Sequence, residues 1–172
     1  MLARMTLHPE FKAIAPDGDA DEATRFLAAM AEILSNTHVS FRAGDRGYTL
    51  AEHGFLLSYQ VKHSLALNAL FYGAHNAIVS AVTGTIGAPS TRDLETYIDN
   101  CLQRNLGITP APREILSAHQ RMLENHHEAA AKVDPTVRFH TRYHRPFYWT
   151  PGMAKESLLA RYKELKECFY VA

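Results

Sequence analysis

The pattern of apolar and polar residues is dominated by residues 49–84, the longest apolar-dominated stretch of the chain. Wound as a helix, this stretch carries apolar residues on nearly all sides, which is typical of a helix buried in a core or a membrane. Polar residues interrupt it too often for a membrane span. We therefore expect a central core helix, with Thr49 and Glu52 forming a capping box at its start. The interrupting residues are Lys62, His63, Asn68, His75 and Asn76.

The length of this predicted helix poses a geometric problem. At about 1.5 Å per residue, an unbroken helix over residues 49–83 would be about 50 Å long. A domain of 172 residues has a diameter of only about 40 Å. Because glycine weakens a helix interior, we expect the helix to kink at Gly73.

Shorter helical patterns flank the central stretch. Residues 21–35 are amphipathic, and a further apolar stripe ends near Gly107, where a helix-terminating glycine is expected. Pro110 and Pro151, each preceded by a threonine, predict two more helix starts. Helices joined by short connectors predict an all-α fold.

In this predicted architecture, four to five helices form a compact bundle around the long buried central helix, residues 49–83. Residues 1–18 would form an N-terminal arm, and residues 19–172 would form a single helical domain. One extended segment, near residues 136–149, departs from the helical pattern, because apolar and basic residues alternate along it with a period of two.

The extended segment has two interpretations. It is either a connector lying over the bundle with its basic side in water, or a surface that binds an anion, a partner protein or a second copy of the chain. Arginine and aromatic residues, which dominate interface hot spots, favour the second interpretation. The candidate interface residues are Arg138, His140, Arg142, His144 and Trp149.

Composition narrows the classes of function. Lysine plus arginine and aspartate plus glutamate number 18 each, so the net charge of zero gives no reason to expect nucleic acid or an anionic membrane as a partner. Cys101 and Cys168 each fall on an apolar stripe and have no metal or redox spacing, which is consistent with reduced thiols and a cytoplasmic protein. The first residues lack the apolar run of a signal peptide.

The ten histidines suggest a metal or ligand site. At about 100° per residue, His53, His63 and His75 do not share a face of one continuous helix. His63 is the best placed of the three, on the same stripe as Tyr59. On the helix after Pro110, by contrast, both His119 and His126 lie at the centre of the apolar stripe, about 10 Å apart.

Core-facing imidazoles need hydrogen-bond partners or a ligand. Our leading hypothesis is an internal site formed by Tyr59, His63, His119 and His126. It would bind a metal ion through the three histidines, a haem or a small ligand, with redox chemistry possible. The structural alternative is that His119 and His126 are satisfied by hydrogen bonds within the core or at an interface.

Two further sequence motifs indicate other metal or phosphate chemistries. Glu124 and His127 match the E-x-x-H spacing of di-iron bundles, but the helical wheel places Glu124 on the polar side. The segment from Ala74 through His75 to Ala88 resembles, superficially, histidine-containing phosphotransfer bundles, which carry an exposed helical histidine followed by small residues. The lysine and glycine of that pattern are Ile78 and Val79 here.

The competing functional hypothesis is a non-catalytic subunit or adaptor. It would dock through residues 138–149 and through the apolar end, residues 168–171. The chain has no nucleophile elbow, phosphate-binding loop or dinucleotide-binding glycine motif. The sequence therefore leaves open whether the protein is an enzyme.

Overall fold

The structure, a computed structural model, describes residues 20–39, 48–83, 92–109, 112–131 and 148–169. Within these ranges the chain is mainly helical, which confirms the predicted all-α bundle, and its only β-structure is one short two-stranded ribbon. The elements are α1 (Ala20–Asn36), β1 (His38–Val39), β2 (Tyr48–Thr49), α2 (Leu50–Ser58), α3 (His63–Leu70), α4 (Ala74–Thr83), α5 (Arg92–Leu106), α6 (Arg113–Ala131) and α7 (Pro151–Phe169).

The central stretch is divided into three helices, α2, α3 and α4. The predicted break at Gly73 is confirmed, since this residue ends the turn before α4 with a φ of 82°, a conformation that glycine adopts without strain. A second break, between Ser58 and His63, was not predicted. There the Tyr59 and Gln60 amides close short turns onto Leu56 and Leu57 carbonyl oxygens.

A close contact between backbones explains why α2 and α3 fold back on each other. A Cβ atom on Gly54 would lie 2.0 Å from the carbonyl oxygen of Leu70, so only glycine allows this approach. The contact sets the end of α3, and the turn that follows it, directly against the middle of α2. It thereby brings Tyr72 next to His53.

Two apolar clusters form the core. The larger one joins α1, α2, α3, α4, α5 and α7, with fully buried side chains that include Phe26, Leu70 and Leu158. The smaller one seats α6 on α2 and α3 through residues such as Leu57 and Ile115. Burial of apolar area is the main stabilising contribution to such a bundle.

The β-ribbon positions one residue that matters for the site. It is antiparallel and pairs Val39 with Tyr48 and His38 with Thr49. Thr49 then caps α2, because its hydroxyl accepts a hydrogen bond of 3.1 Å from the Glu52 amide, as the sequence predicted. Tyr48 is thus held, buried, at the entrance of α2.

Several predictions lie wholly or partly outside the described residues. These are the arm over residues 1–18, residues 136–147 of the extended segment, and the side chain of Cys168. Cys101 is partly buried and packs against the larger cluster. Within the described ranges, no helix has the length and hydropathy needed to cross a membrane.

Candidate functional site

Three side chains from three different elements form a buried hydrogen-bonded chain. The hydroxyl oxygen of Tyr48, on β2, lies 2.8 Å from Nδ1 of His53 on α2. Nε2 of His53 in turn lies 2.9 Å from Nδ1 of His119 on α6. His53 is fully buried, whereas His119 is partly exposed. We call His53 and His119 the imidazole pair.

The surroundings keep both rings of the imidazole pair neutral. Burial, together with the neighbouring His119, lowers the pKa of His53 to about 3. Burial also lowers the pKa of His119. At Tyr48, burial and the negative charge of Glu52 raise the pKa of the phenol, so its hydroxyl keeps its hydrogen.

Tyr72 packs against both rings of the imidazole pair. Its ring centroid lies 4.5 Å from that of His119 and 5.8 Å from that of His53. Burial raises the pKa of the Tyr72 phenol. Among the described residues, the Tyr72 hydroxyl has no hydrogen-bond partner, so this polar atom is available to a ligand.

Glu52 is buried next to this chain and has a structural task beyond the start of α2. Its two carboxylate oxygens accept hydrogen bonds of 3.0 and 2.9 Å from the backbone amides of Tyr148 and Trp149. Tyr148 has a φ of 54°, which is unusual for a residue other than glycine. The sequence predicted a capping role for Glu52 but not this second role, in which the carboxylate anchors the backbone that enters α7.

A second polar cluster lies in the wall of a cavity of about 270 Å³. Nδ1 of His75, on α4, is 2.8 Å from a carboxylate oxygen of Asp99 on α5. Asn68 braces the wall, since its side-chain amide donates hydrogen bonds to the carbonyl and hydroxyl oxygens of Thr109. Tyr72 also lines this cavity, so it contacts both the cavity and the imidazole pair.

The cavity has one polar side and one apolar side. In the described part of the chain, Nε2 of His75 forms no hydrogen bond, and neither does the side chain of Asn76. The apolar wall consists of Phe71, Leu102, Ile108 and Leu116. A lining of this composition suits a small organic molecule that carries a few polar groups.

The residues predicted to form one site are divided between different surroundings. Tyr59 packs under the guanidinium of Arg161, which lies 3.9 Å from its ring centroid, and against Phe55. His63 is exposed at the start of α3, away from the core. His126 belongs to α6, but its side chain lies outside the described residues. Of the three residues whose side chains are described, only His119 takes part in the buried hydrogen-bonded chain.

The predicted metal site stays a prediction. Among the described side chains, no group of three or more histidine, cysteine, aspartate or glutamate residues is arranged to hold a metal ion. Of the candidate interface residues, only Trp149 is described. Its ring packs edge-on against Phe55 at 5.1 Å, and it is partly buried in the larger cluster.

Sequence reasoning missed His53 as a site residue. On a continuous helix no other histidine shares the face of His53, and its actual partner, His119, lies on the separate helix α6. The available signal was the short spacing of Tyr48, Glu52 and His53, three polar residues at the start of a strongly apolar stretch.

Comparison of the chain with protein-family models, with curated proteins and with solved structures finds no match. The two polar clusters must therefore be interpreted from their own chemistry.

Proposed function

We propose that the protein binds a small organic molecule in the cavity beside His75 and Asp99. The observation that carries this proposal is a cavity of about 270 Å³ whose wall combines a fixed imidazole with an apolar surface. Pockets for small ligands usually have volumes of about 300–1,000 Å³. A cavity just below this range favours a molecule much smaller than a haem.

The partner of His75 determines what its ring can offer to a ligand. A carboxylate has only acceptor oxygens, so Nδ1 of His75 donates its hydrogen to Asp99. In the neutral ring, Nε2 then carries a lone pair. His75 therefore accepts a hydrogen bond from a donor such as a ligand hydroxyl or amine.

The rest of the cavity completes the description of the ligand. The Tyr72 hydroxyl can donate to an acceptor on the ligand, while Leu102 and Ile108 cover an apolar body. We infer an aromatic or aliphatic molecule that bears a hydroxyl or amine group. The same imidazole is equipped for general-base chemistry, in which Nε2 takes the proton of that hydroxyl and Asp99 stabilises the resulting imidazolium.

The alternative function, partner binding through residues 138–149, gains no support from the described residues. The partly buried ring of Trp149 packs against Phe55, and the Trp149 backbone amide donates a hydrogen bond to Glu52. The remote alternative, a phosphotransfer role for His75, stays a prediction: the side chain is 29% exposed and its Nδ1 is bonded to Asp99.

The proposal is tested by titrating ¹⁵N-labelled protein with phenol, benzyl alcohol and benzylamine while recording amide spectra. We expect at least one probe to shift the resonances of Tyr72, His75 and Asp99 as a saturable set. Leu116→Trp should fill the cavity and abolish these shifts. Leu116 is 47% exposed, so the larger side chain is tolerated.

A matched control is Tyr97→Trp, which introduces the same side chain at another exposed position, outside the cavity lining. It should leave binding unchanged. If no probe shifts these resonances, or if Leu116→Trp and Tyr97→Trp have the same effect, the cavity is not a ligand site of this class.

A further inference from the structure

The hydrogen-bonded chain from Tyr48 to His119 determines which nitrogen of His119 carries a hydrogen. Nδ1 of His119 is bonded to Nε2 of His53, and Nδ1 of His53 is bonded to the Tyr48 hydroxyl. Between two neutral imidazoles, a single hydrogen lies in the connecting bond. The direction of the first bond in the chain therefore sets the tautomer of both rings.

Acid and base strength favour one direction. A phenol is a stronger acid than a neutral imidazole N–H, and an imidazole nitrogen is a stronger base than a phenol oxygen. Tyr48 thus donates to Nδ1 of His53. His53 then carries its hydrogen on Nε2 and donates it to Nδ1 of His119, which leaves the hydrogen of His119 on Nε2.

We propose that His119 is a neutral hydrogen-bond donor that binds an acceptor oxygen, such as that of a carbonyl or carboxylate group, beside Tyr72. Within the described residues, Nε2 of His119 has no hydrogen-bond partner. The Tyr72 hydroxyl, on a ring 4.5 Å from that of His119, is a second such donor. Two neutral donors in partly buried surroundings suit an oxygen acceptor.

With this tautomer, His119 is not a metal ligand, although the neighbouring histidine would suggest one. A nitrogen that carries a hydrogen has no lone pair for a metal ion. His53 acts as a positioning residue, because it fixes the tautomer of His119 without reaching a ligand itself. The proposal goes beyond ligand binding at His75 and shares only Tyr72 with it.

The test is the two-bond ¹H–¹⁵N spectrum of the histidine rings in the full-length protein, which distinguishes the two neutral tautomers and the cation. His119→Gln identifies the His119 signals. At neutral pH, we expect a neutral His119 ring with its hydrogen on Nε2.

Addition of sodium acetate should shift this signal in a saturable manner, whereas sodium chloride at equal ionic strength should not. Stoichiometric zinc chloride should leave it unchanged.

A hydrogen on Nδ1 of His119, or a charged ring, would overturn the proposal. The hydrogen bonds would then point from His119 through His53 to Tyr48, and the Tyr48 hydroxyl would donate elsewhere, for example to Glu52. The expected tautomer without any acetate-dependent shift would overturn the binding role. His53→Gln should give His119 a mixture of tautomers and weaken the acetate shift several-fold.

Failure here is distinguishable from failure of the cavity proposal. The cavity is judged by the amide resonances around His75 and by Leu116→Trp, whereas this inference is judged by the ring nitrogens of His119. Either result can stand without the other.

Discussion

The two histidine clusters of this protein place the same side chain in opposite chemical states. His75 is partly exposed and donates from Nδ1 to a carboxylate, so in the neutral ring Nε2 is an acceptor. In the tautomer proposed above, His119 accepts a hydrogen bond at Nδ1 from the buried, neutral ring of His53, so its Nε2 is a donor. In each ring, the hydrogen-bond partner of Nδ1 decides whether Nε2 can accept or donate a hydrogen bond to a ligand.

The clusters also differ in how strongly they are tied to the fold. His53 is fully buried and linked to both β2 and α6, whereas the His75–Asp99 pair is half-open to solvent. Burial makes a polar group costly unless it is bonded, so the imidazole pair contributes to stability as well as to chemistry. The partly exposed His75–Asp99 pair contributes little to stability, so it can bind a ligand without much loss to the fold.

The largest expected effect is a difference in stability between a variant of the imidazole pair and a variant of the His75–Asp99 pair. His53→Ala removes the acceptor of the Tyr48 hydroxyl and the partner of His119, and it leaves a cavity in a site with no exposed area. We expect the free energy of unfolding to fall by about 2–5 kcal/mol. His75→Ala should cost no more than about 1 kcal/mol, as for other partly exposed pairs.

Urea denaturation of the two variants, followed by circular dichroism, measures this difference. Equal losses of stability in the two variants would mean that burial does not distinguish the clusters.

The next prediction concerns the backbone contact that holds the imidazole pair together. A methyl group on Gly54 would meet the carbonyl oxygen of Leu70 at 2.0 Å, so α2 and α3 must separate in Gly54→Ala. We expect a loss of about 1–3 kcal/mol in the free energy of unfolding. The His53–Tyr72 contact should loosen with it.

Gly152→Ala is the matched control, since nothing lies within 4 Å of a Cβ atom at that position in the first turn of α7. It should be neutral or slightly stabilising, because alanine is the better helix former. Chemical denaturation of both glycine variants decides the matter, and a Gly54→Ala protein as stable as Gly152→Ala would refute the packing argument.

Local periodicity in the sequence was enough to predict much of this architecture. The all-round apolar character of residues 49–83 predicted a buried segment, the glycine at position 73 predicted a break, and the stripe of α6 placed His119 towards the core. Each of these inferences depends on neighbours within two helical turns.

The sequence could not predict contacts between distant elements. The bond from His53 to His119 joins residues 66 positions apart, and that from His75 to Asp99 joins residues 24 positions apart. The unexpected break after Ser58 also invalidated a helical wheel drawn through residues 49–83. That wheel gave His63 the inward position that His53 holds in the structure.

The smallest expected effect is the pH dependence of stability that the imidazole pair confers. Burial holds the pKa of His53 at about 3 in the folded protein, while an unfolded histidine has a pKa of about 6.5. The unfolded chain therefore binds more protons between these two values. Stability is fully present above pH 6.5 and is lost as the pH falls towards 3.

For His53 alone, the free energy of unfolding should be about 1 kcal/mol lower at pH 5.5 than at pH 7. The lowered pKa of His119 acts in the same direction. In His53→Leu the His53 contribution disappears, so the difference between the two pH values should shrink by about 1 kcal/mol relative to wild type. Denaturation curves of both proteins at pH 7 and 5.5 provide the comparison. Parallel losses of stability would show that His53 takes up its proton in the folded state, and the neutral imidazole pair would then no longer explain the tautomer assigned to His119.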